Sequence, residues 1–483
     1  MLSLKQRRCT SRHAYPPHDV QRNDILCLTI RMSILDITEQ MRTGRISPVE
    51  LTKECLAHTG RNNSALNAFI TVTAESALAQ AYQAETAIQR GEWRGPLHGI
   101  PLALKDLIDT AGVLTTAASA VFKERIPAED AEVTRRLKQA GAILLGKQNL
   151  HEFAYGGSSL VSYFGDVHNA WNPEHIAGGS SGGSATAVAA GMCYGAIGTD
   201  TAGSIREPAS LCGVVGLKPT FGAVSTRGVI PLSQSLDHVG TIARTVEDAA
   251  IIFQAIAKET DVVQGWGSAS PVRIEDPPAH KLRIAVPRKF FCEELDPEVA
   301  SAFEQALSVL STMSDISEIN LEVPIDRTLQ KAESYAYHCE FVRQSPELYQ
   351  PETLRRIRTG EGISPEDAAQ CKRELQEARK QIASVFNDVD LLITPTTPTP
   401  APVISELKAN PDLLRPRELA LLRNTRPMNV WGLPAISVPC GFTQSGLPIG
   451  LQIIGPHGGE SEVLQLAHAY EQATAWHQHL PNL

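Results

Sequence analysis

The sequence of 483 residues lacks several features that would assign it to a special class of protein. No apolar run approaches the roughly 20 residues needed to span a bilayer, so a membrane-spanning helix is not expected. A surplus of basic residues is also missing, because 44 lysines and arginines stand against 53 aspartates and glutamates, a net charge of −9. Direct binding to nucleic acid is therefore not expected, since phosphate neutralisation needs a basic face.

The nine cysteines are an odd number, lie scattered along the chain and never form a C-x-x-C pair. This arrangement argues against a disulfide framework and against a zinc knuckle. Reduced thiols are the simplest interpretation, and they predict a cytoplasmic protein. The hydrophobic share of 42% and the charged share of 20% are ordinary for a globular chain.

The first 32 residues differ in composition from the rest of the chain. They contain six lysines and arginines but only two aspartates, and Pro16 and Pro17 interrupt any helix. We predict that residues 1–32 are a disordered or non-native extension, with a transit peptide as the alternative. Residues 33–483 are predicted to form one domain.

Helix and strand patterns alternate through most of this domain. Helices are predicted by the start signal Ser47-Pro48-Val49-Glu50 and by amphipathic stretches further on. Short apolar runs next to turn residues predict buried strands. These predicted strands are at 100–105, 142–146, 282–287, 390–395, 432–439 and 450–455. The alternation predicts an α/β fold whose sheet is covered on both faces.

Residues 178–185, Gly-Gly-Ser-Ser-Gly-Gly-Ser-Ala, run directly into an Ala-rich helix. Glycines permit close backbone approach, and a helix N-terminus favours developing negative charge. The Gly-x-Ser-x-Gly pattern around Ser180 also fits the nucleophile elbow of α/β-hydrolases, which would make Ser180 the nucleophile. That fold requires a later histidine, and the context selects neither His238 nor His457. A phosphate loop is disfavoured because no Gly-Lys-Ser/Thr follows.

A second turn of small residues, 198–208, contains one serine near its centre, Ser204. Its consecutive backbone N–H groups suit an oxyanion hole. Because a serine hydroxyl needs a base, Lys105 at the end of a buried apolar strand is the best candidate, in its neutral form. Asp106 is the alternative partner, and it would hold Lys105 charged in a structural ion pair.

Together these segments resemble the amidase signature family. The resemblance is carried by Lys105 in Gly-Ile-Pro-Leu-Ala-Leu-Lys-Asp, the loop 178–184, Thr201-Ala-Gly-Ser-Ile-Arg206 and Gly216-Leu-Lys-Pro-Thr220. Ser180 lies 75 positions after Lys105, and Ser204 lies 24 positions after Ser180, separations that are familiar in that family. The resemblance extends from about residue 33 to the C-terminal helix. One departure is Ala202, where members often have glycine.

The resemblance implies a single large α/β/α sandwich with a mixed central β-sheet that holds a Ser–cisSer–Lys triad. Ser204 would be the nucleophile that forms an acyl-enzyme. Ser180, after a cis peptide, would relay the proton to neutral Lys105. The implied oxyanion donors are the backbone N–H groups of Thr201, Ala202, Gly203 and Ser204. The implied supporting residues are Ser181, Asp200 and Arg206. No metal or organic cofactor is implied.

The implied activity is hydrolysis of a carbon–nitrogen bond in a small amide, and aryl amides, urea-type compounds and carbamates or urethanes are open as substrates. Residues 349–353 and the helical pattern at 365–385 resemble general amidases, and residues 211–240 resemble hydrolases of small amides and ureas such as biuret. These features favour a free-standing amidase. The alternative is the amidase component of a glutamine-dependent tRNA amidotransferase, which works only inside an assembly. A homodimer is also open.

Overall fold

The computed structural model describes residues 32–258 and 281–483. The predicted extension at residues 1–32 therefore lies outside the described residues except for Met32. Within the described ranges, the strands form one mixed sheet of eleven. The strands are β1 Phe69–Val72, β2 Pro101–Lys105, β3 Ile143–Gln148, β4 Gly195–Asp200, β5 Val215–Lys218, β6 His238–Ala243, β7 Leu282–Val286, β8 Ser314–Glu318, β9 Leu391–Pro395, β10 Ala435–Phe442 and β11 Pro448–Ile454.

The order of the strands across the sheet is β1-β3-β2-β4-β6-β5-β10-β11-β9-β7-β8. Two groups of three neighbours are parallel, namely β3, β2 and β4 and then β9, β7 and β8. The remaining neighbouring pairs are antiparallel. The carboxyl ends of β2 and β4 therefore lie side by side at one edge of the sheet, which is where α/β proteins place their functional groups.

Helices cover this sheet, and their sequences explain where they begin. The α-helices are α1 Ile34–Arg42, α2 Pro48–Leu66, α3 Ala74–Gln89, α4 Glu132–Gln139, α5 Gly182–Ala189, α6 Arg206–Cys212, α7 Val246–Ile256, α8 Arg288–Phe291, α9 Pro297–Leu310, α10 Thr328–Gln344, α11 Pro351–Arg358, α12 Pro365–Gln381, α13 Ile404–Ala409, α14 Leu414–Leu421, α15 Arg426–Trp431 and α16 Glu460–Thr474. The predicted start of α2 is confirmed, because Ser47 caps the N–H groups of Val49 and Glu50.

The core consists of apolar side chains from both the sheet and the helices. Fully buried residues of β2, β3 and β4 pack with residues of α5, α7 and α16 in one large cluster. A smaller cluster joins β9 to residues of α15, including Trp431. The predicted α/β/α sandwich with a mixed sheet is thus confirmed. In the described part of the chain, no helix is both long and apolar enough to cross a membrane.

Several strands were not predicted from sequence. Strand β1 at Phe69–Val72 lies between helices α2 and α3, and the small-residue segment 194–220 contains β4 and β5. Strand β4 reads Gly-Ala-Ile-Gly-Thr-Asp, whose glycines weaken any strand propensity. Its neighbours β2 and β6 bury it on both edges, so tertiary pairing outweighs the local preference.

Candidate active site

Lys105 ends β2, and its side chain is fully buried next to the end of β4. Its Nζ donates to Ser180 Oγ at 2.7 Å and to Ser181 Oγ at 2.9 Å. A third acceptor is Thr199 Oγ1, also at 2.9 Å. Burial lowers the pKa of Lys105 to about 7, against the opposing charges of Asp200 and Asp237. A substantial fraction of this amine is therefore neutral near pH 7, as a general base requires.

The alternative ion pair between Lys105 and Asp106 is not formed. The carboxylate of Asp106 accepts hydrogen bonds from the N–H and the hydroxyl of Thr116, and it lies 3.7 Å from Lys147 Nζ. Asp106 follows the last residue of β2, and its carboxylate faces Thr116 and Lys147, whereas Lys105 faces the serine hydroxyls. Lys147 is thus the structural lysine, and Lys105 is held by hydroxyl groups.

The Gly-rich loop brings Ser180 to Lys105 through contacts of its backbone. The Gly179–Ser180 peptide bond is cis, as the resemblance implies. The N–H of Gly179 donates to Glu207 Oε2 at 2.7 Å, and the carbonyl of Ser180 accepts from the N–H of His151 at 3.1 Å. These contacts fix both sides of the cis bond before α5 begins at Gly182.

Ser181 connects the loop to the second serine turn. Its N–H donates to the carbonyl of Ser204 at 3.2 Å, while its hydroxyl accepts from Lys105 and donates to the carbonyl of Thr199. The structure thus brings together all three residues of the predicted triad in one buried region. Ser181, predicted as a supporting residue, contacts both Lys105 and the Ser204 turn.

The turn between β4 and α6 presents backbone N–H groups next to Ser204. In the described part of the chain, the N–H groups of Thr201, Ala202 and Ser204 donate to no protein acceptor, which leaves them available for an oxyanion. Gly203 was also expected to donate to the oxyanion, but its N–H already donates to Asp200 Oδ1 at 2.7 Å. Three of the four expected donors are therefore available.

Gly203 has a different role, which depends on the absence of a side chain. Its φ is +133°, a region that favours glycine, and a Cβ there would overlap Thr425 Oγ1. The Thr425 hydroxyl donates instead to the carbonyl of Ala202 at 2.8 Å. This hydrogen bond and the Asp200 contact hold the turn from two directions.

Asp200 and Arg206 form the buried ion pair beneath the turn, at 2.9 Å. Burial opposes ionisation of Asp200, but the charge and hydrogen bonds of Arg206 outweigh burial and lower the pKa of Asp200. Arg206 also donates to the Thr425 carbonyl, to Gln452 and to Asn429, all within 2.8 Å. Both residues thus lie in contact with the turn or its neighbours, and their supporting role stays a prediction.

Sequence reasoning missed Asp237, which supports the turn from the other side. Its carboxyl group accepts from Thr201 Oγ1 at 2.6 Å and from the N–H groups of Leu232 and Ser233. Burial raises its pKa to about 7, against these hydrogen bonds. The loop that carries it is held in turn by Glu333, which accepts from the Ser233 hydroxyl at 2.6 Å. No local pattern around Asp237 marks this role.

The histidines considered from sequence do not form a relay with Ser180. His238 Nδ1 lies 2.7 Å from the Leu236 carbonyl, and burial lowers the pKa of His238 well below its ordinary value. Among residues 32–258 and 281–483, no group of three or more His, Cys, Asp or Glu side chains is arranged to hold a metal ion.

A buried lysine, two serines and a turn with three N–H groups that donate to no acceptor in the described residues lie together at the end of a mixed α/β sheet, as expected for an enzyme of the amidase type. The profile of the Amidase family matches residues 50–464. The chain therefore belongs to the amidase signature family, as the sequence resemblance predicted.

Curated relatives cover almost the whole chain. The A subunit of the Glutamyl-tRNA(Gln) amidotransferase of Picosynechococcus sp. is 39% identical over 490 residues, which are 93% of this chain and 100% of the relative. That name agrees with the amidotransferase alternative better than with the free-standing amidase favoured from sequence.

Solved structures give a similar family assignment. A chain from work on a vestigial protein complex and the evolutionary origins of an s-triazine catabolic enzyme has a TM-score of 0.82 and 33% identity, covering 92% of this chain and 98% of the other. The A subunit of the Glutamyl-tRNA(Gln) amidotransferase of Thermotoga maritima has a TM-score of 0.70 and 32% identity, with coverages of 92% and 95%.

Proposed function

We propose that the chain hydrolyses the carbon–nitrogen bond of an amide through an acyl-enzyme on Ser204. The observation that carries this proposal is the 2.7 Å hydrogen bond from Lys105 Nζ to Ser180 Oγ, in a buried site. A buried lysine with hydroxyl partners and a pKa of about 7 can accept a proton at neutral pH.

In the proposed reaction, Ser204 Oγ attacks the amide carbonyl carbon while its proton moves to Ser180 Oγ. Ser180 passes its own proton to Lys105 Nζ. The N–H groups of Thr201, Ala202 and Ser204 stabilise the oxyanion of the tetrahedral intermediate. Its collapse breaks the carbon–nitrogen bond, and the proton returns through Ser180 to the leaving nitrogen. Water then attacks the acyl-enzyme and releases the acid.

The test of this mechanism is intact-mass spectrometry after treatment with a fluorophosphonate. We expect one adduct on the wild type, none on Ser204→Ala, and much slower labelling of Ser180→Ala and Lys105→Ala. Labelling that persists in Ser204→Ala but disappears in Ser180→Ala would assign the nucleophile to Ser180 and overturn the proposed mechanism.

For the substrate, we propose the amide of glutamine, hydrolysed by this chain as a component of a larger assembly. The support comes from relatives of 36–39% identity, which this chain matches over 98–100% of their length. They are named as the A subunits of Glutamyl-tRNA(Gln) amidotransferases.

Seven free cysteines in the described residues agree with a cytoplasmic location.

A second candidate is the free-standing hydrolase of a small amide, urea-type compound or carbamate that the sequence analysis favoured. The observation in its favour is that the chain from the s-triazine work superposes better, at a TM-score of 0.82, than the Thermotoga amidotransferase chain at 0.70. This candidate keeps the small-molecule substrate that the sequence analysis predicts.

The two candidates differ in what the isolated chain does. Purified alone and in native complexes, the protein is assayed with L-glutamine, a simple anilide and an aryl carbamate. Glutamine hydrolysis that needs copurifying proteins supports the amidotransferase component. Rapid anilide or carbamate hydrolysis by a monomer or homodimer, with no copurifying protein, supports the free-standing enzyme.

A further inference from the structure

Residues 422–425 contact the Ser204 turn, and a group of arginines lies next to this segment. Within this segment Thr425 donates to the Ala202 carbonyl, and Leu422 packs against Gly203, 3.0 Å from where a Cβ would stand. Helix α14 precedes the segment and carries Arg415, and helix α15 follows it and begins with Arg426. Two cationic side chains thus flank the stretch that touches the turn.

A third arginine is brought to the same place by the start of α10. The guanidinium of Arg426 donates to the carbonyls of Pro324 and Asp326, and Arg327 is the next residue. In the described ranges, the Arg327 side chain has neither a hydrogen-bond acceptor nor a carboxylate partner. The carboxylate of Asp326 is engaged by the N–H and hydroxyl of Thr328, both at 2.9 Å.

The buried carboxylate that pairs with Arg415 is already shared. Glu418 lies 2.8 Å from Arg356 and 3.4 Å from Arg415, and it also accepts from the Ser158 hydroxyl at 2.7 Å. His151, adjacent to the same carboxylate at 3.5 Å, has its pKa lowered by burial and by Arg356, so it is neutral. Arg356 has a second carboxylate partner, Glu352, at 2.8 Å. Within the described residues Arg415 has only the shared Glu418, and Arg327 and Arg426 pair with no carboxylate, so the arginine group keeps an uncompensated positive charge.

The electrostatics of Arg327 and Arg426 agree with this excess of positive charge. Burial, together with the charges of Arg426 and Arg415, lowers the pKa of Arg327 to about 9. Burial lowers the pKa of Arg426 to about 10, although Asp326 opposes the shift. Desolvated cations that repel one another gain stability from an anion placed among them.

We infer that Arg327, Arg415 and Arg426 form a recognition site for a carboxylate of the substrate. A guanidinium matches a carboxylate with two parallel N–H groups, whereas a neutral amide offers no charge to the cluster. The inference rests on the proposed amide hydrolysis and narrows its substrates to amides that also carry a carboxylate, a class that contains glutamine.

The first test is calorimetric titration of the full-length protein with glutarate, which measures binding without catalysis. We expect glutarate to bind the wild type and to bind Arg327→Gln and Arg415→Gln about tenfold to a hundredfold more weakly. Arg417→Gln is the matched control, because Arg417 lies exposed on the same helix as Arg415. Arg327→Lys should restore part of the affinity, since it keeps the charge.

Equal binding of glutarate to all variants, or no binding to the wild type, would overturn the site. Competition by sulfate as strong as that of glutarate would show an unspecific anion cluster and would also overturn it. Both variants must retain the wild-type unfolding midpoint for their binding to be compared. If Arg415→Gln unfolds because it loses its ion pair with Glu418, the result for Arg327→Gln, which breaks no ion pair, tests the site alone.

The second test compares two primary amides of matched chain length, 4-carbamoylbutanoate and pentanamide. We expect a lower KM for the anionic amide in the wild type, and a loss of that preference in Arg327→Gln through a higher KM for 4-carbamoylbutanoate. Failure of the proposed hydrolysis has a different signature, which is the absence of Ser204 labelling while glutarate binding persists.

Discussion

The two sides of the Ser204 turn are stabilised in opposite ways. Beneath the turn, Asp200 and Arg206 are fully buried, and each has charged or hydrogen-bonding partners on several sides. Beside the turn, Arg327, Arg415 and Arg426 share too few carboxylates. The first arrangement holds a geometry without any ligand, whereas the second is completed only by a ligand. The network of Asp200 and Arg206 thus positions the reacting groups, and the arginine group selects the substrate.

The largest effect is expected from Ser204→Ala, which leaves both sides of the turn intact but removes the proposed nucleophile. We expect kcat to fall about ten-thousand-fold or more, without loss of glutarate binding. Steady-state amide hydrolysis and titration with glutarate measure the two effects. Ser184→Ala is the control, since this buried hydroxyl on α5 has no hydrogen-bond partner among the described residues and its loss should leave kcat unchanged.

Asp200→Asn attacks the closed network directly. It leaves Arg206 buried without its counter-charge, and breaking such a pair costs about 3–5 kcal/mol in the free energy of unfolding. Urea denaturation compares this variant with Asp109→Asn, whose partner Arg125 is about one-third exposed and whose loss should cost about 1 kcal/mol or less. Similar losses for both variants would contradict the assignment of Asp200 as the main support of the turn.

Thr201→Val tests the support that Asp237 gives to the same turn. The change keeps the shape of the side chain but removes the donor to Asp237 Oδ1, which should cost about 1–3 kcal/mol of stability. We expect kcat to fall more than KM rises, because the Thr201 N–H is a proposed oxyanion donor. A rise in KM alone, measured on a neutral amide, would argue against that role.

The smallest effect concerns the pH profile. Because Lys105 must be neutral to accept a proton and its pKa is about 7, kcat/KM should rise as the pH increases through about 7. The negative charge of Asp237 raises the pKa of Lys105, so Asp237→Asn should move this rise to lower pH. A rise that moves to higher pH would show that another group controls the reaction.

The sequence predicted the residues that meet at the sheet edge better than those that support them. Lys105 and Ser204 follow apolar or small-residue stretches whose spacing was informative, and the structure places both segments at the ends of parallel neighbours. Asn429 and Gln452 also reach the turn, but they lie more than 200 positions further along the chain. No local periodicity reports such a contact, because only the completed sheet brings β11 against helix α6, which begins with Arg206.

Gly203 shows a second limit of what can be predicted from the sequence. The family resemblance implied four N–H donors in this turn, but the direction of each N–H depends on backbone angles that the residue types alone do not fix. The acceptor Asp200 Oδ1 is three positions away, close enough to compete for one of them. The pattern of small residues therefore predicted the turn, but the resemblance did not predict that the Gly203 N–H donates to Asp200.

The contacts of Arg206 have a consequence for the synthesis of the enzyme. All the proposed triad residues have been translated by residue 204, but the partners of Arg206 at Thr425, Asn429 and Gln452 emerge from the ribosome near the end of translation. Until then the guanidinium has only Asp200 as a partner, and the turn has no Thr425 to fix its carbonyl. A nascent chain thus carries the proposed nucleophile for most of its synthesis in an unassembled site, and the site is complete only when the last strands join the sheet.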